Sequence, residues 1–387
     1  MDLRPHIAGL PGSKIREVAN AGLGRSDVLP FWFGESDEVT PEAVRQAAAE
    51  SLARGETFYS HNLGLAELRE ALRAYLACLH GDPGPERIAV TSSGVSALMI
   101  ATQLLVAAGD EVVVVVPVWP NLPAQPAILG ASVKRVALAP DGQGAWRLDL
   151  QRLLDTVTPA TRVLLLNAPN NPTGWTLTRD EQQALLAHCR RTGTWIIADE
   201  VYDRVWFGGE DGEPAPSFLD IATSDDRLVV VGSFSKAFLM TGWRLGWLVV
   251  PHGHLDTMAK LAEFNSSCAP VFVQRGALAA LAIADGFVPG LVARLRAGRD
   301  ALVPALAALP GVQVSSPLGG MYAWFRAPGA GDSLAFAKRM VAEQGMGLAP
   351  GVAFGPEGEG WLRWCFASRD TARLGEGVAR LARALAA

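Results

Sequence analysis

Four apolar runs most constrain this chain: VVVVV at 112–116, RVLLLN at 162–167, TWIIA at 194–198 and LVVVG at 228–232. None alternates polar with apolar residues. A strand with one wet face alternates, so these runs predict strands buried on both faces, as in a mostly parallel sheet between helices. Strands are also expected at 87–92, 111–116, 133–138 and 244–250. Helices are expected at 95–108, at 148–156 and at 178–191. The first places Ala97, Leu98, Ala101, Leu104 and Leu105 on one face, and the last opens on a Thr178-x-x-Glu181 capping box.

After residue 285 the texture changes. Long Ala/Leu/Arg helices at 288–309, 333–344 and 371–386 flank short strands at 312–314, 321–325 and 361–367. The expectation is an α/β fold. A three-layer αβα large domain with a mostly parallel sheet spans 45–285, and a smaller α+β domain combines 1–44 with 286–387. A helix at 41–54 packs on one domain or bridges both.

Composition narrows the function. With 387 residues, 49% hydrophobic and 19% charged, the chain is long enough for a large core and is not globally disordered. A net charge of −5 without a basic block argues against nucleic acid as a partner. No apolar run approaches the ~20 residues of a membrane helix, and the opening MDLRPHIAGLPGSK lacks a signal-peptide core. No membrane partner is expected. Cys78, Cys189, Cys268 and Cys365 form no Cys-x-x-Cys pair and read as free thiols of a reducing cytoplasm. The histidines show no ligand spacing, so no metal is expected. Of 34 cationic side chains only five are lysines: Lys14, Lys134, Lys236, Lys260 and Lys338. Chemistry that needs an amine has five places to look.

Ligands of parallel sheets bind outside the carboxyl ends of the strands, and four unusual segments fall there. Ser92-Ser93-Gly94-Val95-Ser96 joins a strand to a helix. It is either an anion-binding turn or an ordinary serine-capped one. Asn167–Gly174 (NAPNNPTG) is a rigid polar loop or a plain turn. Asp199-Glu200-Val201-Tyr202 closes an apolar strand. Asp199 there is either a buried carboxylate awaiting a cation or a helix cap. Ser233-Phe234-Ser235-Lys236, followed by Thr241-Gly242-Trp243-Arg244, places one lysine among small hydroxyl residues. That lysine is a nucleophile of depressed pKa or a surface ion-pairing group. Together the four suggest a site for an anionic aromatic aldehyde. The turn, Ser233 and Arg244 would take its phosphate, Lys236 its aldehyde, and Asp199 its ring nitrogen. That describes pyridoxal phosphate.

NNPTG at 170–174, DEVY at 199–202 and SFSKAF…TGWRLG at 233–246 occur in the order seen in one enzyme family. Tyr59-Ser60…Gly64…Leu68-Arg69, AAGDEVVVV at 107–115 and Trp361-Leu362-Arg363 extend the match through most of the chain. The sequence resembles the class I/II pyridoxal-phosphate aminotransferases of fold type I. That resemblance implies an aminotransferase exchanging an amino group between an L-amino acid and a 2-oxo acid by a ping-pong route. Lys236 would carry the cofactor as a Schiff base and shuttle the proton. Asp199 would pair with the ring nitrogen, and Tyr202, with Asn171, would hold the phenolic oxygen. Trp119 would stack on the ring. Ser93, Gly94, Val95, Ser233, Ser235 and Arg244 would bind the phosphate. Tyr59 would reach the partner's cofactor in a homodimer. Arg363 would clamp the substrate carboxylate, with Gly34, Asn171 and Trp119 also facing the substrate.

The sequence departs from the family pattern in places. Val95 stands where many relatives carry a hydroxyl, and 261–265 (LAEFN) lacks the second arginine of aspartate-type enzymes. A neutral or aromatic substrate side chain is therefore expected, with Trp32, Phe33, Trp119 and Met321 as candidate pocket walls. C–S β-lyase chemistry on the same cofactor is the alternative. Ser233-x-x-Lys236 also fits penicillin-recognising serine enzymes, but no Lys-Thr-Gly or Ser-Asp-Asn follows. A DNA-binding regulator would carry an added basic segment, and none precedes Tyr59.

Overall fold

A computed structural model of the chain describes residues 4–142 and 144–386. Its main sheet has seven strands: β1 (Ile88–Thr91), β2 (Glu111–Val116), β3 (Ser132–Ala137), β4 (Thr161–Asn167), β5 (Trp195–Asp199), β6 (Leu228–Ser233) and β7 (Gly246–Val249). Their spatial order is β1-β7-β6-β5-β4-β2-β3. β7 runs antiparallel to β1 and β6, while every other pairing in the sheet is parallel.

The apolar runs become the strands buried on both faces, and the cores show why. Val113 and Val115 of β2 pack into one cluster with Leu68, Leu72 and Leu76 of the helix Ala66–His80 and Leu185 of the helix Arg179–Thr192. Val112, Val114 and Val116 point the other way, toward Ala97, Leu98 and Ala101 of the helix Gly94–Leu105 and Met258 of the helix Leu255–Ser266. Adjacent side chains of a strand leave on opposite faces, so an unbroken apolar strand needs helices on both. The result is a three-layer αβα unit.

A second, antiparallel sheet takes β8 (Gln313–Val314), β9 (Tyr322–Arg326), β10 (Ala349–Pro350) and β11 (Leu362–Cys365) in the order β8-β9-β11-β10. The helices Ala284–Ala307, Ser333–Gln344 and Ala372–Ala386 supply its core with Leu291, Phe336 and Leu381. This is the smaller α+β part. The N-terminal segment joins it through a parallel pairing of Leu29–Pro30 with Met346–Gly347. Among the described residues no single helix is long and apolar enough to cross a membrane.

Several boundaries differ from expectation for local reasons. The strand expected from 244 begins at Gly246, because Arg244 sits in the left-handed region at φ +54°. The helix expected to reach 108 stops at Leu105, where Gly109 at φ +89° turns the chain and Ala107 N donates to Asp110 Oδ2 at 2.8 Å. The helix expected from 288 starts at Ala284, which is already buried. The strand expected at 361–367 is limited to Leu362–Cys365. An unexpected helix, Asn121–Ile128, forms around two prolines. Pro123 lies in its first turn, where a missing N–H costs no helical bond. The expected helix at 41–54 runs from Glu42 to Ala53 and packs along the helix Val271–Ala282.

One glycine links the sheet to the turn that precedes the helix Gly94–Leu105. A Cβ on Gly246 of β7 would lie 2.6 Å from Gly94 N and 2.8 Å from Gly232 O. Both are backbone atoms and cannot rotate away. Gly246→Ala should therefore cost about 1–3 kcal/mol, read as a lower urea midpoint at unchanged slope. A wild-type midpoint would show that the turn has room to yield.

Candidate active site

The parallel strands β4, β5 and β6 end together, and their last residues are polar: Asn167, Asp199 and Ser233. They open into a cavity of about 220 Å³. The start of the helix Gly94–Leu105, the β6–β7 loop, the N-terminal segment and strands β9 and β11 complete its walls. Asn167 staples two of the loops, since its Nδ2 donates to Asp199 O at 3.1 Å and its Oδ1 accepts from Asn171 N at 2.8 Å. Asn170 stiffens the next turn by accepting from Thr173 N at 3.0 Å and Thr173 Oγ1 at 2.7 Å.

Lys236 enters from the β6–β7 loop. Its Nζ donates to the backbone carbonyl of Gly34 at 2.6 Å and stands 5.5 Å from the Tyr202 ring centroid. Burial brings its amine down to about 8. Arg363 and Arg244 push the same way, opposed by Cys365 and Glu35. Asp199 lines the same cavity. Desolvation pushes its carboxyl up to about 7, against the Val201 N–H at 3.4 Å and the charge of Lys236. A carboxyl this poorly compensated is a ready partner for a cationic N–H.

Another part of the lining suits an anion. Gly94, Val95, Ser233, Ser235 and Arg244 line it. The space beside Gly94 is narrow, since a Cβ there would come within 3.1 Å of Ser233 Cβ. Ser93 is buried and does not line the cavity. Its Oγ caps the helix by accepting from Ser96 N at 3.0 Å. Its backbone, at φ +147°, occupies a region almost reserved for glycine. Arg244 Nη1 donates to Thr241 O at 2.7 Å.

Arg363, on β11, is 2% exposed. Its Nη1 donates to Asn171 Oδ1 at 2.9 Å, its Nη2 bonds the Trp32 carbonyl, and its Nε has no partner among the described residues. A buried guanidinium with no acidic partner among the described residues and one orphaned N–H is poised for a carboxylate from outside. Trp119 and Gly34 line the cavity as expected. Tyr59 lies outside it, 89% exposed. Trp32 packs instead beside Gly22 and Gly347, and Met321 faces a small hollow behind Lys236. Asn167 and Val201 line the cavity from segments that the sequence marked without giving these two a role, and Ile15 and Tyr322 line it without having been singled out. Asn167 carried a signal, a polar residue closing an apolar parallel strand. Tyr322 carried none, because β9 is buried from Tyr322 to Phe325 and shows no alternation.

The donors fit the expected cofactor: an amine near neutrality for an aldehyde, an under-compensated carboxyl for a ring N–H, and a cationic turn for a phosphate. Comparison with known proteins agrees. The family model for aminotransferase class I and II matches residues 27–381. An aspartate aminotransferase of Pyrococcus horikoshii is 30% identical, with 96% of this chain and 94% of that protein covered. An arginine–pyruvate transaminase of Pseudomonas aeruginosa is 32% identical, with 94% and 92% covered. The structure of an aspartate aminotransferase mutant of Thermus thermophilus superposes with a TM-score of 0.91, at 29% identity and full coverage of both chains.

A lysine held near 8 is about half unprotonated at pH 8, whereas an ordinary lysine at about 10.4 is almost wholly charged. Reductive methylation of the cofactor-free protein across about pH 6 to 12, read peptide by peptide, should show Lys236 labelling rising with a midpoint near 8. A midpoint at the ordinary lysine value would refute the burial argument.

Proposed function

The chain belongs to the class I and II aminotransferases, and from that premise we propose how its cavity performs amino transfer. The enzyme is a pyridoxal-phosphate-dependent transaminase. We assign it a ping-pong exchange between an L-amino acid, with a neutral or aromatic side chain, and a 2-oxo acid. The observation that carries the reading is one cavity holding both the near-neutral amine of Lys236 and the orphaned Nε of Arg363.

Each residue's part follows from its surroundings. Gly94 and Val95 offer backbone N–H groups to the phosphate, with Ser233, Ser235 and Arg244 beside them. Ser93 serves through the cap that fixes this turn. Asp199 holds the proton on the ring nitrogen, since its desolvated carboxyl gains most from a cationic neighbour. Tyr202 donates toward the phenolic oxygen, Asn171 assists, and Trp119 covers the ring. Arg363 binds the substrate α-carboxylate and Gly34 faces the substrate. The bound cofactor supplies an electron sink for the substrate's Cα. Lys236 Nζ, largely neutral above pH 8, would take the proton from that carbon and deliver it to C4′ of the cofactor, the transfer that separates amine exchange from mere return of the substrate.

The walls support the substrate class. Ile15, Phe33, Val95 and Trp119 are apolar, and the cations on the described lining are Lys236, Arg244 and Arg363, all already assigned. A distal carboxylate finds no further charge. We place 45–285 as the cofactor domain and 1–44 with 286–387 as the smaller domain. The working unit is a cytoplasmic homodimer in which Tyr59 reaches the partner's phosphate. Its support is a set of exposed aromatic residues that a monomer would leave wet: Phe58 at 85%, Tyr59 at 89% and Phe264 at 88%. The four free thiols agree with a reducing compartment.

Mixing the loaded enzyme singly with the twenty amino acids should convert its visible absorbance to the amine form. Phenylalanine, tyrosine, leucine and methionine should react at least ~10-fold faster than aspartate. The Lys236→Ala variant should keep its circular dichroism and lose about 10²–10⁴-fold in rate. No conversion with any amino acid would refute the reading. Sedimentation should report the mass of two chains, and Tyr59→Phe should release cofactor faster on dilution while remaining dimeric. A monomer with full activity would refute the shared site.

A further inference from the structure

Tyr322 sits at the centre of the site without a role in the reading above. Its ring lies beneath the Arg363 guanidinium, 4.3 Å from the carbon to the centroid, and its hydroxyl is 2.6 Å from that of Tyr202. The two rings cross at 77° with centroids 5.8 Å apart. Both residues are buried, 1% and 3% exposed. A phenol carries one proton and can also accept, so the direction of this bond decides what each hydroxyl can still do.

The contacts of the two hydroxyls favour Tyr322 as the donor. Tyr202 receives a second, long contact of 3.5 Å from Asn171 Nδ2, which can only donate. Tyr322 has no hydrogen-bond partner besides Tyr202 among the described residues. If Tyr202 donated to Tyr322, the Tyr322 proton would be left without an acceptor. With Tyr322 as donor, its own proton is taken up within the protein, and that of Tyr202 is the one left for a group bound in the cavity to accept. Burial pushes the Tyr322 phenol up to about 12 and Tyr202 well above its ordinary value, so both stay protonated around neutrality.

Gly34 belongs to the same arrangement. Its φ is not in the left-handed region, so its conformation does not demand glycine. Space does, because a Cβ there would overlap the Tyr322 hydroxyl.

Resting on the assignment of this cavity to pyridoxal phosphate, we infer that Tyr322 is a positioning residue: it donates to the Tyr202 oxygen and so commits the Tyr202 proton to the cofactor. Successive hydroxyls aligned this way polarise one another, which strengthens the last donor. Such a donor draws negative charge off the cofactor's phenolic oxygen. The proton conjugated to that oxygen is then released at lower pH than it would be without the donor.

The test is a pH titration of the visible absorbance of the protein loaded with pyridoxal phosphate. Tyr322→Phe should raise the midpoint by roughly half to one pH unit, the scale of one hydrogen bond. Tyr202→Phe should raise it further, and the double variant no further than Tyr202→Phe alone, because the relay acts only through Tyr202. An unchanged midpoint in Tyr322→Phe, or additive shifts in the double variant, would overturn the relay while leaving the cofactor assignment standing. A wild-type protein that acquires no pH-dependent visible band would overturn the assignment and the relay with it. Should Tyr322→Phe lose its folded circular dichroism, Gly34→Ala decides. Its added methyl displaces the same hydroxyl, so a raised midpoint supports the relay and an unchanged one rejects it.

Discussion

A sheet buried on both faces has nowhere to put a polar side chain except at the ends of its strands. β2, β4, β5 and β6 obey this, with unbroken apolar interiors between two helical layers. Asn167, Asp199 and Ser233 are what those interiors deliver to one edge. Each fully buried Val or Leu favours the fold by roughly 1.5–3 kcal/mol. The sheet is therefore stable enough to hold groups at its rim that would rather be elsewhere.

Those groups are costly. Lys236 and Asp199 are both desolvated far enough for their ionisation to move toward neutrality, in opposite directions. Arg363 is buried with an unpaired Nε, and Ser93 holds a backbone angle of +147°. None of these helps the chain fold. Their coincidence in one cavity is the mark of a site shaped for a ligand that completes what the protein leaves incomplete.

Much of this was legible in the residues. Non-alternating runs gave the layering, and the scarcity of lysine directed attention to Lys236. DEVY and NNPTG marked the strand ends at which Asp199 and Asn171 sit. What escaped was of two kinds. The helix Ala66–His80 was not anticipated, although Leu68, Leu72 and Leu76 recur at helical spacing and form its buried face. Tyr322 and Ile15 are of the other kind. They reach the cavity because separate parts of the chain pack there, and a contact between residues more than a hundred positions apart leaves no trace in local spacing. Trp32 shows the converse error, an aromatic near the right segment that the packing of Gly22 and Gly347 turns away.

The acceptor that holds Lys236 is the carbonyl of Gly34, a main-chain atom. No single substitution can delete it, since every amino acid brings the same carbonyl. Variation among descendants of this chain can reshape the walls at Ile15, Phe33, Val95 and Trp119 one residue at a time. The anchor of the reactive amine does not vary with them. The lysine's resting position is thereby insulated from the changes that would alter what the enzyme accepts, which makes this cavity a forgiving place for new substrate preferences to arise.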